Sequence, residues 1–333
     1  MRNLLFLGCF LVFLTFSCKN VKEDPAKYAP AVHITIEPFA DAFFAMDTNQ
    51  VLSSIQQLNK TYPLFSEDFF TYILMTNPAK DTASIKAFYK AYMPIYKAAQ
   101  KTNAIQVAKP ALEEAFKRLH FYFPKYALTN KVVLFIGPLE SYGNIVTKAA
   151  TAVGLQMYLG SNSDWYFSEQ IQTIYPSYMS RRFAPEYIAV NSVQNILNDI
   201  EPMQLTGKNV LAQMIEEGKR QYIINKCFPA TPDSIRMGYT QNQLNNLVQE
   251  ESNIWTYLLK QNTLFSKDPS VVRSIIQEGA YSDMFGEEVP GNVGKYIGYK
   301  IVSAWMKQQD KVSFTDLLVA SPDKIFEEAK YAP

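Results

Sequence analysis

The first candidates for metal chemistry are the chain's two histidines, His33 and His120. Zinc hydrolysis on a helix uses the pattern His-Glu-x-x-His, because residues four apart share a helix face and direct both imidazoles at one metal ion. Here His33 lies on an expected strand and His120 at the end of an expected helix rich in aromatic residues. The sequence therefore predicts packed or surface histidines and no metal site.

Patterns for other catalytic classes are also incomplete. Residues 160–164 read Gly-Ser-Asn-Ser-Asp and lack the closing glycine of the Gly-x-Ser-x-Gly turn that exposes a hydrolase serine. No segment matches the glycine-rich loops that hold nucleotide or dinucleotide phosphates. We therefore predict neither a catalytic residue nor a cofactor from sequence motifs.

Three pairs of adjacent glutamates could supply acid and base groups: Glu216 with Glu217, Glu250 with Glu251, and Glu287 with Glu288. Adjacent residues on a helix point about 100° apart. Such a pair cannot act jointly as acid and base from one face. One member of each pair can still point inward, and most of these side chains are expected to be solvated.

Composition excludes further classes of protein. With 333 residues, 48% hydrophobic and 14% aromatic, the chain can bury a large core. Removal of residues 1–17 takes away only Arg2, which leaves 31 basic and 31 acidic side chains. A nucleic-acid-binding protein needs a basic excess on one face, so we predict no nucleic-acid partner. The pairs Arg181-Arg182 and Lys219-Arg220 are expected to be solvated surface.

The N-terminus has the features of an export signal. Arg2 precedes an apolar run at residues 4–16, which ends at Ser17-Cys18 and is followed by polar residues. This order is typical of a cleaved signal peptide. Residues 14–18 resemble the bacterial lipobox, although Thr15 and Phe16 depart from its usual pattern. We predict that residues 1–17 are removed and that Cys18 is lipidated with palmitate-type chains; a plain secretory signal is the alternative.

Acylation of Cys18 predicts a membrane anchor, because two or three chains at about 0.8 kcal/mol per buried methylene hold a protein stably on a bilayer. No later segment offers 18 uninterrupted apolar residues, so we expect no second membrane span. The mature chain then retains one other cysteine, Cys227, which has no intrachain partner. Its apolar neighbours predict a buried structural thiol.

Two helices at residues 185–199 and 210–223 are expected to form the centre of the molecule. Apolar residues recur at helical spacing along both, and Gly218 interrupts the second. Glycine costs a helix roughly 1 kcal/mol against alanine, so close approach of a neighbouring backbone is expected at Gly218. Gly294 and Gly298, four residues apart, predict tight helix packing in the same way.

The remaining pattern predicts an α+β fold that is predominantly helical, with a small sheet and a large helical body. Strands are expected at residues 32–37, 131–136 and 152–160. The other expected helices lie at 49–59, 66–75, 84–100, 110–122, 242–260, 269–277, 293–306, 314–318 and 324–330. Residues 18–30 are polar with two prolines and predict a tether. We expect a single globular domain at residues 31–333, with two lobes as the alternative.

Several segments together resemble the gliding-motility lipoprotein GldB family of Bacteroidetes, and the likeness covers nearly all of the mature chain. The segments are 152–160 and 164–166, 175–178 and 181–183, 214–222, 239–240 with Glu251 and 254–255, 290–302, and 330–333. The resemblance implies a lipoprotein that faces the periplasm and takes part in surface gliding, with protein components of the gliding or secretion machinery as partners.

A second resemblance is to predicted zinc proteases with a strand, a His-Glu-x-x-His helix and a Glu-Gly helix in that order. It implies a zincin-like arrangement that has lost its metal, because residues 190–194 are Val, Asn, Ser, Val and Gln. The candidate cleft would then contain Glu217, Tyr222 and Asn191.

Three functional hypotheses follow. The first is an envelope lipoprotein of the gliding machinery that binds a partner and does not catalyse a reaction. The second is an envelope hydrolase that uses carboxylates in a degenerate metalloprotease-like cleft beside Glu217. The third is a periplasmic carrier of an apolar or sugar ligand, suggested by 21 Tyr and 22 Phe, although no particular small molecule is indicated. Lys19 after the acylated cysteine is compatible with the outer membrane.

Overall fold

The computed structural model describes residues 24–333. The expected signal peptide at 1–17, the lipidation site Cys18 and the first part of the expected tether lie outside these residues. The boundaries of the signal, tether and domain therefore stay predictions.

Helices make up most of the described chain, and a small sheet accompanies them, which confirms the predicted helical α+β fold. The α-helices are α1 Phe39–Phe44, α2 Val51–Thr61, α3 Pro63–Asp68, α4 Thr82–Gln100, α5 Ala104–Tyr122, α6 Glu169–Ile174, α7 Ser177–Ser180, α8 Ile188–Ile200, α9 Val210–Cys227, α10 Asp233–Met237, α11 Gln241–Lys260, α12 Pro269–Ile276, α13 Val293–Met306, α14 Phe314–Val319 and α15 Pro322–Ala329. A π-helical turn, Phe69–Ile73, continues α3.

The sheet contains four strands in the order β1-β2-β4-β3, with bounds β1 Thr35–Glu37, β2 Lys131–Phe135, β3 Asn144–Val146 and β4 Thr151–Gly154. Strands β1, β2 and β4 are parallel, and β3 pairs antiparallel with β4. Strands β2 and β4 are almost wholly buried, which explains their continuous apolar runs.

A cluster of aromatic rings packs against one part of this sheet. Phe39, Phe65 and Phe69 approach one another with centroids 4.8 to 6.3 Å apart, and Phe65 and Phe69 both reach Phe135 of β2. These rings bury large areas with mostly edge-to-face contacts. The abundance of phenylalanine in the first third of the chain is therefore a property of the core.

Helices α9 and α13 cross with their backbones in contact. A Cβ added at Gly218 would lie 2.2 Å from the carbonyl carbon of Gly298, and one added at Gly298 would lie 1.8 Å from the carbonyl oxygen of Met214. No larger residue fits at these two positions without separation of the helices. The close approaches predicted for Gly218 and Gly298 are thus confirmed.

The expected elements differ from the observed ones at several bounds. The third strand ends at Gly154 and not at 160, because the buried Gln156 side chain turns back to bond Gly137 N at 3.0 Å and Tyr142 O at 2.8 Å. Helix α5 begins at Ala104 and contains Pro110, where a start was expected.

The second half of the expected tether is folded onto the body. Pro25–Tyr28 is a turn of 3-10 helix capped by Asp24, and Ala26 within it is fully buried. Asp24 also accepts hydrogen bonds from Arg118 and Tyr122 of α5. The chain is therefore attached to the body several residues before position 30.

Every helix within residues 24–333 is too short or too polar to span a membrane. Cys227 is a buried free thiol, as predicted, and its burial raises the pKa of the thiol.

Candidate functional site

Helices α8, α9 and α10 and the start of α13 enclose a polar cavity of about 30 Å³. Charged and amide side chains face it, among them Arg182, Asn191, Gln194, Glu217, Arg236 and Lys295. This volume is enough for about one water molecule. It is too small to contain an organic substrate in the described conformation.

A second cavity of about 20 Å³ lies beside the first and shares Arg182, Gly238 and Lys295 with it. We call the two together the polar cleft. Glu278, Gly279 and Gly291 separate its outer wall from an open surface groove of about 470 Å³. Arg273, Gln277, Tyr281 and Asp283 also line this groove. The polar cleft therefore borders a surface large enough for a chain segment of another molecule.

Glu217 is positioned by the middle of α9, next to the glycine that brings α13 close. Burial raises the pKa of Glu217, and the positive charges of Lys295 and Arg220 only partly oppose this. Among the hydrogen bonds and ion pairs of residues 24–333, none involves the Glu217 carboxylate. A carboxylate in such surroundings is destabilised in its ionised form.

Lys295 lies in the first turn of α13, held there because Asn292 caps the helix. Its ammonium group lies 5.3 Å from the centroid of the Tyr239 ring, and no ion pair in the described part of the chain includes it. Burial lowers the pKa of Lys295, although Glu278 and Glu217 oppose the shift. The polar cleft thus contains an acid and a base whose charged forms are both disfavoured by burial.

Arg182 and Glu278 form a two-point ion pair at the boundary between the polar cleft and the groove. Arg182 Nη1 donates to Glu278 Oε1 at 2.9 Å, and Nη2 pairs with Oε2. Burial would raise the pKa of Glu278, but the hydrogen bond and charge of Arg182 outweigh it and lower the pKa. This fork geometry orders the wall of the polar cleft.

Two further wall groups are held by backbone contacts. Arg181 Nη2 donates to the carbonyl of Gly238 at 2.5 Å. Arg236 Nη1 donates to the carbonyls of Asn225 and Phe228 at 3.0 and 3.2 Å, whereas its buried Nε finds no partner among residues 24–333. Arg236, which lines the polar cleft, therefore retains one buried donor without a partner in the described chain.

The structure brings together two of the three residues expected in the cleft. Asn191 and Glu217 line the same cavity, and Asn191 Nδ2 donates to the Tyr158 hydroxyl at 3.0 Å. Tyr222 instead contacts the ring of Phe314 at 5.9 Å, on another side of α9. Tyr222 follows Glu217 by five residues, so the two diverge around a helix of 3.6 residues per turn.

Sequence reasoning missed Arg182, Glu278 and Lys295. Arg181-Arg182 and Lys219-Arg220 were expected to be solvated surface, and this was wrong: Lys219 and Arg220 are buried and share Glu216, while Arg182 is paired with Glu278. A short run of basic residues does not reveal whether a carboxylate distant in the sequence pairs with it and allows it to be buried. A weak signal was available, because Arg182 and Lys295 both lie in segments that carried the family resemblance.

The zincin-like expectation gains no support. In residues 24–333, no group of three or more His, Cys, Asp or Glu side chains is placed to hold a metal ion. On the helix compared with a metal-binding helix, Val190 and Val193 are buried and Ser192 bonds the carbonyl of Ile188 at 2.8 Å. These residues pack α8 against its neighbours.

Comparison with known proteins gives one result. A model of the family described as gliding motility protein GldB matches residues 19–333, which include every residue of the polar cleft. No curated protein matches the chain, and no solved structure matches it. The chain therefore belongs to the gliding motility protein GldB family, a family of membrane-anchored envelope lipoproteins.

Proposed function

We propose that this protein is an envelope lipoprotein of the gliding machinery that acts by binding a protein partner and not by catalysis. In this proposal Cys18 is acylated, residues 31–333 form one domain that faces the periplasm, and the anchor lies in the outer membrane. The partner is a component of the gliding or secretion machinery. It binds at the groove and the polar cleft behind it.

One observation supports the polar cleft and the groove as the binding surface. Glu217, Lys295 and Arg236 Nε are ionisable or donor groups that lie close together without a direct hydrogen bond in the described chain. The buried Arg236 Nε has no partner among residues 24–333, and such a donor destabilises a fold by roughly 1 to 3 kcal/mol. Glu217 and Lys295 are half-buried, and burial shifts the pKa of each toward its neutral form. Proteins retain such groups where they are used in binding or chemistry.

The groove beside the polar cleft supports a macromolecular partner. It is open and about 470 Å³ in volume, and it presents both Arg273 and Asp283. A polar segment of a partner can lie in it with its charged groups directed toward Arg182 and Glu278 at the inner wall. Small-molecule pockets are usually enclosed and mostly apolar, and this one is neither.

The proposal is tested with two variants expressed in a gliding bacterium that lacks the gene. Glu217→Gln and Lys295→Met are expected to fold, to recover fewer motility or secretion components in affinity capture from the envelope, and to restore gliding poorly. Glu287→Gln and Lys267→Met change exposed side chains of the same types and serve as controls with wild-type behaviour. Normal capture and normal gliding in both cleft variants would contradict the proposal.

A second candidate, an envelope hydrolase that uses Glu217, is favoured by one observation, the opposed pKa shifts of Glu217 and Lys295. A raised acid beside a lowered base is the arrangement that general acid–base catalysis requires. The same variants separate the two candidates. Loss of gliding with partner capture unchanged would favour catalysis, whereas parallel loss of both favours partner binding.

A further inference from the structure

Asp24 attaches the start of the described chain to helix α5. Its Oδ2 accepts from Arg118 Nη1 at 2.6 Å, and the Tyr122 hydroxyl donates to both carboxylate oxygens at 2.8 Å. Arg118, whose side chain is 5% exposed, also donates to the carbonyl of Lys226 at 3.1 Å. The attachment point therefore lies where α5 meets the C-terminal end of α9.

This attachment is held by several kinds of contact. Asp24 accepts from Ala26 N at 3.0 Å, and the Ala26 side chain is fully buried. Burial would raise the pKa of Asp24, but the hydrogen bonds from Tyr122, Ala26 and Arg118 outweigh it and lower the pKa. Asp24 is therefore ionised in the folded protein at neutral pH, and the ion pair is lost only when the pH falls through this lowered pKa.

The length of chain between Cys18 and Asp24 limits how the body can be oriented. Five residues lie between the two positions, and the six residue steps from Cys18 to Asp24 span at most about 20 Å even when fully extended. A body of this size has a radius of gyration of about 20 Å and is therefore roughly 50 Å across. An anchor at Cys18 thus keeps the Asp24 side of the body near the bilayer and keeps the opposite side away from it.

The surface beside Asp24 has the composition of a membrane-contacting face. Tyr28, at the end of the turn that Asp24 caps, is 70% exposed, and Phe121, next to Tyr122, is 43% exposed. The exposed Lys27 lies with its ammonium 5.5 Å from the Tyr28 ring centroid. Exposed aromatic rings with a neighbouring lysine are typical of the headgroup level of a bilayer.

We propose that Lys27, Tyr28 and Phe121 form a membrane-docking face that lies on the headgroup layer of the bilayer holding the acyl anchor. This inference rests on the lipid anchor of the proposed function. The face fixes the orientation of the whole body. Glu217 lies nine residues before Lys226 on α9, about 14 Å from it along the helix axis.

The test uses the full lipidated chain in vesicles of phosphatidylethanolamine with a minor share of phosphatidylglycerol and a lipid that carries a nitroxide on its headgroup. A thiol-reactive fluorophore is placed at Tyr28→Cys, at Phe121→Cys and, as control, at Val248→Cys. Val248 is equally apolar and exposed but lies on α11. The buried Cys227 does not compete for the label. We expect loss of most fluorescence at positions 28 and 121 and little loss at 248.

The outcomes separate the face from the anchor. Equal quenching at all three positions, or none at 28 and 121 in vesicle-bound protein, would overturn the docking face while the anchor stands. Failure of the protein to float with vesicles would overturn the anchor itself. Adding Asp24→Ala releases the attachment, and the contrast between positions 28 and 248 is then expected to shrink in protein that still floats.

Discussion

At the scale of single residues, Glu217 and Lys295 are ionisable side chains in surroundings that disfavour their charged forms. Each has a pKa shifted toward its neutral form, and burial is the first cause in both cases. Neighbouring charges oppose the shifts without reversing them. In contrast, the buried Arg118 and the half-buried Asp24 are hydrogen-bonded to each other and to further partners. The first pair is therefore assigned to binding and the second to structure.

The raised pKa of Glu217 predicts a pH-dependent effect of Glu217→Gln. The folded state binds this proton more tightly than the unfolded chain, so the wild type loses stability as pH rises above the ordinary glutamate value of about 4.3. Glu217→Gln is expected to raise the free energy of unfolding by on the order of 1 kcal/mol at neutral pH. The difference should vanish near about pH 4.

Urea denaturation at these two pH values measures the effect. Glu287→Gln, which changes an exposed carboxylate, is expected to leave the free energy of unfolding nearly unchanged at both. A Glu217→Gln variant that is less stable than the wild type at neutral pH would show that the carboxylate is favourably paired.

At the scale of elements, the crossing of α9 and α13 supports both the core and the polar cleft. Gly218 and Gly298 allow the two backbones to touch, and this places Glu217 of one helix near Lys295 of the other. The C-terminal segment strengthens the same assembly, because Tyr331 and Tyr296 both donate to the buried Glu251, at 2.6 and 2.7 Å. Several segments that carried the family resemblance are thus structural.

Gly298→Ala is expected to reduce the free energy of unfolding by about 3 kcal/mol, the upper end of the usual effect of overpacking. Its Cβ would lie 1.8 Å from a backbone oxygen, which cannot move without the helix. Gly294→Ala is the matched control on the same helix. Its Cβ meets Ile276 Cδ1 at 2.6 Å, Met214 Cγ at 3.0 Å and Ile275 Cγ2 at 3.1 Å. All three are side-chain atoms, which can shift without movement of a helix backbone.

Urea denaturation of the two variants checks this contrast. The higher helix propensity of alanine offsets about 1 kcal/mol in each, so Gly294→Ala should be close to the wild type. Equal losses in both variants would mean that the helix crossing tolerates separation and that side-chain packing limits stability there.

At the scale of the whole molecule, the attachment at Asp24 and the polar cleft lie at different positions along α9, near Lys226 and near Glu217. The groove beside Arg273 and Asp283 borders the start of α13, where Gly294 faces Met214, and not the Lys226 end of α9 that meets Arg118. The proposed docking of the Asp24 side on the bilayer therefore leaves the groove uncovered. A partner can then bind without displacement of the protein from the membrane. This arrangement suits a lipoprotein that links other components of an envelope machine.

Cys18→Ser is expected to abolish both flotation with vesicles and gliding. The free energy of unfolding should change by no more than about 0.5 kcal/mol, the usual effect of a surface substitution. The reason is that the described core contacts and the Asp24 attachment are made by residues of the 24–333 range and do not use the Cys18 side chain. Mass spectrometry of the N-terminal peptide checks the acyl chains. Gliding restored by Cys18→Ser would show that the anchor is dispensable.

The sequence predicted the helical α+β class, the main helices and the close contacts at Gly218 and Gly298, because each follows from a local pattern. Hydrophobic periodicity identifies buried faces, and a glycine inside a helix indicates a neighbouring backbone. Short elements such as α1, α6 and β3 were missed because they contain too few residues to show a period.

By itself, then, the sequence determined the class of fold, the buried stripes of its central helices and the residues that resemble one family. Only the tertiary structure decided that Arg182 pairs with Glu278, that Lys295 approaches Glu217, and that Tyr222 lies elsewhere. The physical reason is that burial and pKa depend on groups distant in the chain. A run of charged residues has the same sequence whether water solvates it or a carboxylate from another helix pairs with it.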